Sequence, residues 1–177
     1  MALFVGSQSP FCDTVLQTAN GRVMQETLTI SNLADVPKFL EAAAKGMWQE
    51  WWEEEGHPIE DVYDELQKSL GPEALPTTLI AHQGDKFLGM VMFVQSDMSK
   101  RPQYTPWLAS LWISPDHRRR SIGTRLTKEL ETLATQQGHP HLYLFAKLSL
   151  RSFFEGLGWQ CIEADVSGVD IFRKDLR

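Results

Sequence analysis

Leu108-Ala-Ser-Leu-Trp-Ile113, followed at once by Ser114-Pro-Asp-His-Arg-Arg-Arg-Ser-Ile-Gly-Thr-Arg-Leu126, is the stretch whose reading decides the fold. The first six residues form a short apolar run that reads as a buried strand. Beyond the basic turn, Ile122, Leu126, Leu130 and Leu133 recur at helical spacing among Thr, Lys, Glu and Gln. The chain therefore passes from a strand, through a basic turn, into an amphipathic helix. A helix start presents unpaired backbone N–H groups and the positive end of its dipole. Phosphates bind there readily. Gly123, lacking a side chain, allows close approach to that backbone.

Reading outward, Gly138-His-Pro-His141 leads into Leu142-Tyr-Leu-Phe-Ala146, which reads as a second strand buried on both faces. A strand, a helix and a second strand make a parallel crossover. Upstream, Thr77 to Ala81 and Lys86 to Gln95 read as strands joined around Gly84-Asp85. Phe87 to Val94 is apolar on both faces, which marks a central, doubly covered strand with its two methionines used for packing. Ser96 to Pro106 reads as a surface loop. Leu150, Phe153, Phe154 and Leu157 make a short helix ended by Gly158, and Trp159–Ala164 with Val169–Lys174 makes a closing hairpin.

Before these strands, Val23 to Ile30 alternates as a half-buried strand does. Ser31 or Asn32 is expected to cap a helix carrying the stripe Leu33, Val36, Phe39, Leu40, Ala43 and Met47. A second helix carries Ile59, Val62, Tyr63, Leu66 and Leu70 and stops at Gly71-Pro72. Residues 1–21 read as an appendage, flexible or packing a homodimer, and residues 22–177 as one domain. The expected fold class is α/β: a mixed sheet with a parallel pair at its centre and helices on both faces.

Two segments together resemble a known family. Arg118-Arg-Arg-Ser121-Ile-Gly123 is similar to the acetyl-CoA signature of the GNAT acetyltransferases, with Ser121 replacing its first glycine. Phe153-Phe-Glu-Gly-Leu-Gly-Trp159 resembles that family's later Phe-Tyr-Glu-Lys-Leu-Gly-Phe segment, in the same order along the chain. The resemblance implies an acetyl-CoA-dependent N-acetyltransferase whose parallel strands splay to hold the cosubstrate. It implies that backbone groups of Leu111, Trp112 and Ile113 pair with the pantetheine arm. It also implies that Arg118, Arg119, Arg120, Ser121, Ile122, Gly123 and Thr124 receive the pyrophosphate. Lys147 stands where the family often has an asparagine against the pantetheine, and Phe154 where it has its usual general acid, a tyrosine. Loss of such an acid costs roughly 10²–10⁴ in rate. Ser149, Ser152 and Tyr143 are the alternative proton donors by proximity in sequence, and no catalytic residue is assigned.

Composition narrows the partners. Hydrophobic residues at 42% and charged residues at 23% are ordinary for a globular protein, and a net charge of −6 disfavours nucleic acid and favours cationic ligands. No apolar run reaches a membrane span, and no signal peptide is evident, so a cytoplasmic setting is expected. Cys12 and Cys161 fit no metal spacing. His139 and His141 lack the companion ligands a metal needs. A phosphate loop of the Walker kind is excluded because no Gly-Lys-Ser/Thr follows the turn.

The acceptor is expected to be an amine, of a small cationic molecule or a peptide N-terminus. Trp48-Gln-Glu-Trp-Trp-Glu-Glu-Glu55 has two readings. One is an aromatic and acidic wall for a cationic amine, with Glu50, Glu53, Glu54 or Glu55 acting as base through water. The other, favoured, is a solvated acidic face opposite tryptophans packed in the core. A catalytically weak acyl-CoA sensor and an interaction domain docking through this segment are the rival functions.

Overall fold

The structure is a computed structural model describing residues 27–176. Seven strands, β1 (Thr29–Asn32), β2 (Thr77–Gln83), β3 (Lys86–Val94), β4 (Trp107–Ile113), β5 (His141–Lys147), β6 (Gln160–Val166) and β7 (Val169–Asp175), form one sheet. Their order is β1-β2-β3-β4-β5-β7-β6, and every neighbouring pair is antiparallel except β4 and β5. This is the mixed sheet with one parallel pair that the sequence predicts.

Successive strand residues leave on opposite faces, so an unbroken apolar strand needs cover on both. α1 (Leu40–Trp51) and α2 (Ile59–Gln67) cover one face, where Ala43, Met47, Val62 and Leu66 meet Ile80, Met90, Met92 and Trp107. α3 (Ile122–Gln136) and α4 (Arg151–Gly156) cover the other, where Leu126, Leu130 and Phe154 meet Val91, Phe93, Leu144 and Phe172. The alternation Met90, Val91, Met92, Phe93 thus feeds the two layers in turn. Each fully buried leucine in such a layer contributes about 1.5–3 kcal/mol relative to exposure.

Both helices on the α3 face stop by the same device. Gly138, at φ 82°, places its N–H on the Thr135 carbonyl at 3.0 Å while His139 N–H reaches Ala134 at 3.0 Å. Gly158, at φ 79°, repeats this at the end of α4, with Trp159 N–H on Phe154 at 3.0 Å. A left-handed residue satisfies the last carbonyls in this way, and glycine adopts it without a Cβ penalty. Each stop delivers the chain directly into the next strand, β5 and β6.

Several expectations are corrected. β1 begins only at Thr29, and residues 23–26 of the expected strand lie outside the described residues, as do the 1–21 appendage and Cys12. Ser31 and Asn32 belong to β1 rather than capping α1; Asn32 Oδ1 accepts from Ala34 N–H at 3.0 Å in a local turn. A single 3₁₀ turn, Pro37–Phe39, leads into α1 without a side-chain cap. Leu70 and Leu150 sit in 3₁₀ turns and are exposed, because a three-residue repeat rotates them off the helical stripe. Phe145, expected to be doubly buried, is 37% exposed where β4 and β5 part. His139 and His141 serve as edge-on ring neighbours of Phe93 and Tyr143. Among the described residues no helix is long and apolar enough to cross a membrane.

Candidate active site

β4 and β5 start together and then separate. Trp107 pairs with Tyr143, Tyr143 N–H reaches the Pro106 carbonyl at 3.0 Å, and no further pair joins the two strands. A parallel pair that comes apart exposes backbone at the carboxyl ends of its strands, where open α/β sheets bind ligands. On its other edge β4 carries a bulge. Met90 pairs with Trp112 and Met92 with Ala109, so Val91 faces both Ser110 and Leu111, and Ser110 takes φ 51°. A bulge leaves one residue out of the ladder and re-aims its backbone groups.

Past Ile113 the chain makes a 3₁₀ turn, Pro115–His117, pinned by Ser114 N–H on the Leu88 carbonyl at 2.9 Å. His117 is buried in that turn, and its Nδ1 has no partner. Burial, and then the charges of Lys86 and Arg120, push its pKa down, so the ring stays neutral under the loop. Arg119 at φ 60° and Ser121 at φ 58° are both left-handed. Ser121 therefore stands in a conformation glycine takes freely, which explains why a glycine is its counterpart in the family signature. It makes no side-chain cap.

The decisive feature is a set of free donors. The first N–H of α3 with a backbone acceptor is that of Arg125, on the Ser121 carbonyl at 3.1 Å. Among the described residues the N–H groups of Arg119 through Thr124 have no acceptor. Left-handed residues within a turn gather such amides into an anion-binding concavity, and the helix dipole adds to it. Gly123 opens the concavity. A Cβ there would meet only Ile113 Cγ1 and Phe153 Cζ at 3.8 Å and Leu111 Cδ2 at 4.0 Å, so packing within the protein does not require glycine. Its bareness leaves the amides approachable above an apolar floor of Leu111, Ile113 and Phe153.

The predicted site residues take distinct places. Arg119, Arg120 and Ser121 are exposed on the loop, Ile122 is buried as the first residue of α3, and Thr124 is half-buried. Arg118 is committed within the chain: its Nε–H donates to the Ile113 carbonyl at 3.0 Å and its Nη2–H to Glu50 Oε2 at 2.9 Å. The Trp112 indole is taken up within the protein, stacked on Phe87 at 5.8 Å and lying against Gly46 of α1. Lys147, at the end of β5, is exposed. Phe154 is buried, 3% exposed, against Phe172 and Trp159. Phe153, absent from the residue-by-residue expectation, is the aromatic that reaches the loop; the helical stripe through Phe153 and Phe154 alone does not separate the two.

The acidic segment lies at the end of α1. Trp48, Trp51 and Trp52 are half-buried, neither fully packed nor free, while Glu53, Glu54 and Glu55 are exposed. Trp48 Nε1–H donates to the His57 carbonyl at 2.8 Å and Trp52 meets the His57 ring at 5.2 Å, closing the α1–α2 connection. Opposite it, the loop before β4 is clasped to β6: Arg101 and Tyr104 both donate to Glu163, at 2.7 Å from Arg101 Nη2 and 2.7 Å from the Tyr104 hydroxyl. Those donors hold the Glu163 carboxyl at about 2. Tyr104 in turn stacks on Tyr143 at 4.7 Å, beside Trp107 and the exposed Phe145.

A groove of about 600 Å³ lies elsewhere, between α3 and β7. There Glu131 accepts from Trp159 Nε1–H at 2.8 Å, Lys174 donates to the Leu157 carbonyl at 2.7 Å, and Arg173 pairs through Nη2 with Asp175 at 2.7 Å while its buried Nε–H has no partner.

The profile of the acetyltransferase (GNAT) family matches residues 43–159, which takes in most of α1, the bulged strand, the loop and α4. The chain belongs to the GNAT acetyltransferase family. Solved structures share the fold. An aminoglycoside 6′-acetyltransferase type Ii superposes on this GNAT chain with TM-score 0.66 and 21% identity over 84% of this chain and 97% of that one. An aminoglycoside 6′-N-acetyltransferase complexed with coenzyme A gives TM-score 0.66 and 18% identity over 84% and 97%. The PaiA N-acetyltransferase of Thermoplasma acidophilum, in complex with coenzyme A, gives 0.59 and 16% over 84% and 99%. No curated protein matches the chain.

Proposed function

We propose that this protein transfers the acetyl group of acetyl-CoA to an amine, carried by a small cationic molecule or a peptide N-terminus. The observation that carries the reading is the row of acceptor-free amides from Arg119 to Thr124, beside a bare Gly123 and next to the parting of β4 and β5. Those amides and Arg119 and Arg120 suit a diphosphate, and the gap between β4 and β5, reached by the backbone of Leu111 to Ile113, suits an extended pantetheine. Two of the structural relatives are complexed with coenzyme A, which adds support. Residues 22–177 are taken as one domain for this activity.

Acetyl-CoA supplies an activated acyl group as a thioester; the amine nitrogen forms the new C–N bond as the C–S bond breaks. Negative charge then grows on the carbonyl oxygen, and a backbone N–H released at the Ser110–Leu111 bulge is the preorganised donor for it. The amine must shed a proton, since a free alkylammonium does so only near pH 10. Ala109 and Ser110 offer no carboxylate, so the base is sought among Glu50, Glu53, Glu54 and Glu55 at the end of α1, acting through water. The departing thiolate has no acid at Phe154. A thiol with a pKa of about 8.5 leaves without one at a rate cost, eased by the nearby helix start.

Thiol release from acetyl-CoA, measured with a panel of primary amines, tests the reading. Turnover with an amine, and a gain of one acetyl group on it, is the expected result. Phe154 favours one alternative, an acyl-CoA sensor, whose signature is tight binding with no turnover on any amine.

A further inference from the structure

Arg118 is the one loop arginine turned back onto the protein. Its Nε–H on the Ile113 carbonyl pivots the guanidinium at the end of β4, and its Nη2–H on Glu50 ties it to the last turn of α1. The pair is open to solvent, with side-chain exposures of 49% for Arg118 and 35% for Glu50. Glu50 sits where the helix dipole is negative and disfavours a carboxylate, so Arg118 is its main compensation. Exposed pairs of this kind are weak, whereas guanidinium–phosphate contacts are charge-assisted and bidentate. A diphosphate arriving at the neighbouring amides therefore outbids Glu50 for the free end of the guanidinium.

We propose that Glu50 is a positioning residue that parks Arg118 in the free protein and yields it to the cosubstrate's diphosphate, which bares a carboxylate at the end of α1 for a cationic amine. Cofactor binding and acceptor binding are then coupled through this one side chain. The pivot on Ile113 persists in both states, so the exchange is a swing of one side chain and needs no movement of α1. This rests on the acetyl-CoA reading above, and the test separates the two.

Calorimetric titration with coenzyme A compares wild type, Glu50→Gln, Arg118→Gln and the double variant, with Glu60→Gln as a control for loss of one exposed negative charge. Glu50→Gln is expected to tighten coenzyme A binding about two- to fivefold, the worth of an exposed pair. Arg118→Gln is expected to weaken it about tenfold, the loss of one charge-assisted contact. In the Arg118→Gln background the Glu50→Gln gain disappears, and Glu60→Gln alone gives no gain. In turnover, Glu50→Gln lowers KM for acetyl-CoA while raising KM for the amine, a split that a merely structural role does not produce. Binding by wild type with no gain in Glu50→Gln, the same gain without Arg118, or the same gain in Glu60→Gln overturns the exchange and leaves the acetyl-CoA reading standing. No coenzyme A binding by wild type overturns that reading and the exchange with it.

Discussion

Gly123→Glu separates the needs of the fold from those of the ligand. A Cβ at this position lies 3.8 Å from its nearest side-chain neighbours, Ile113 and Phe153, which is ordinary contact. Gly123 is the second residue of α3, and its backbone is not left-handed. An acidic residue in a first helical turn interacts favourably with the dipole, and replacing glycine within a helix gains about 0.5–1 kcal/mol. The variant should therefore fold as well as wild type, with a melting temperature unchanged or raised by about 2–4 °C. Ligand binding has the opposite sign. A carboxylate about 5 Å from one phosphate charge costs about 3 kcal/mol at an effective dielectric near 20, on the order of a hundredfold in affinity. Gly123→Ala, which adds only a methyl, should lose less. Calorimetry with coenzyme A alongside a thermal melt reads both quantities. A folded Gly123→Glu protein binding coenzyme A within threefold of wild type would refute the placement of the diphosphate.

Three further outcomes follow from particular contacts. Gly46→Val drives a branched side chain into the Trp112 indole, whose atoms already stand 2.9 Å from an ideal Cβ, and should cost about 1–3 kcal/mol in chemical denaturation. Ser121→Gly removes a left-handed strain of about 1 kcal/mol and should stabilise the protein while preserving coenzyme A affinity, read by melting and calorimetry together. The Glu163 carboxyl, held at about 2 by Arg101 and then Tyr104, binds protons more weakly folded than unfolded. Its contribution is complete above the unfolded pKa, near 4.3, and fades as pH falls toward 2. The stability gap between wild type and Glu163→Gln should accordingly shrink from pH 5 to pH 2; a constant gap in acid titrations would count against the clasp.

What could be read in advance was what periodicity encodes. Phe87 to Val94, apolar at every position, demanded cover on both faces, and the alternation of its methionines with Val91 and Phe93 supplied two layers. Leu126 and Leu130 announced α3, and Gly158 announced the stop of α4. Of the candidate site, the sequence offered the parts that depend on bare backbone, Gly123 and the helix start.

Features set by tertiary geometry had no such trace. The left-handed turn at Arg119 and Ser121 is imposed by the strand-to-helix corner rather than by residue preference. Phe145 faces solvent because β4 and β5 part after one pair, and no local pattern reports that gap. Arg118 meets Glu50 across 68 positions of sequence, a contact that charge counting does not select. Phe153 rather than Phe154 reaches the loop because the rotation of about 100° between adjacent helical residues decides which ring packs on Phe172.

Backbone amide spectra recorded as coenzyme A is titrated into the isotopically labelled protein test the central claim most directly. The account predicts the largest shifts at Arg119 to Thr124, with smaller ones along Leu111 to Ile113. Saturable binding that leaves the 119–124 amides unmoved, and shifts instead the groove between α3 and β7 around Lys128 and Arg173, would contradict it.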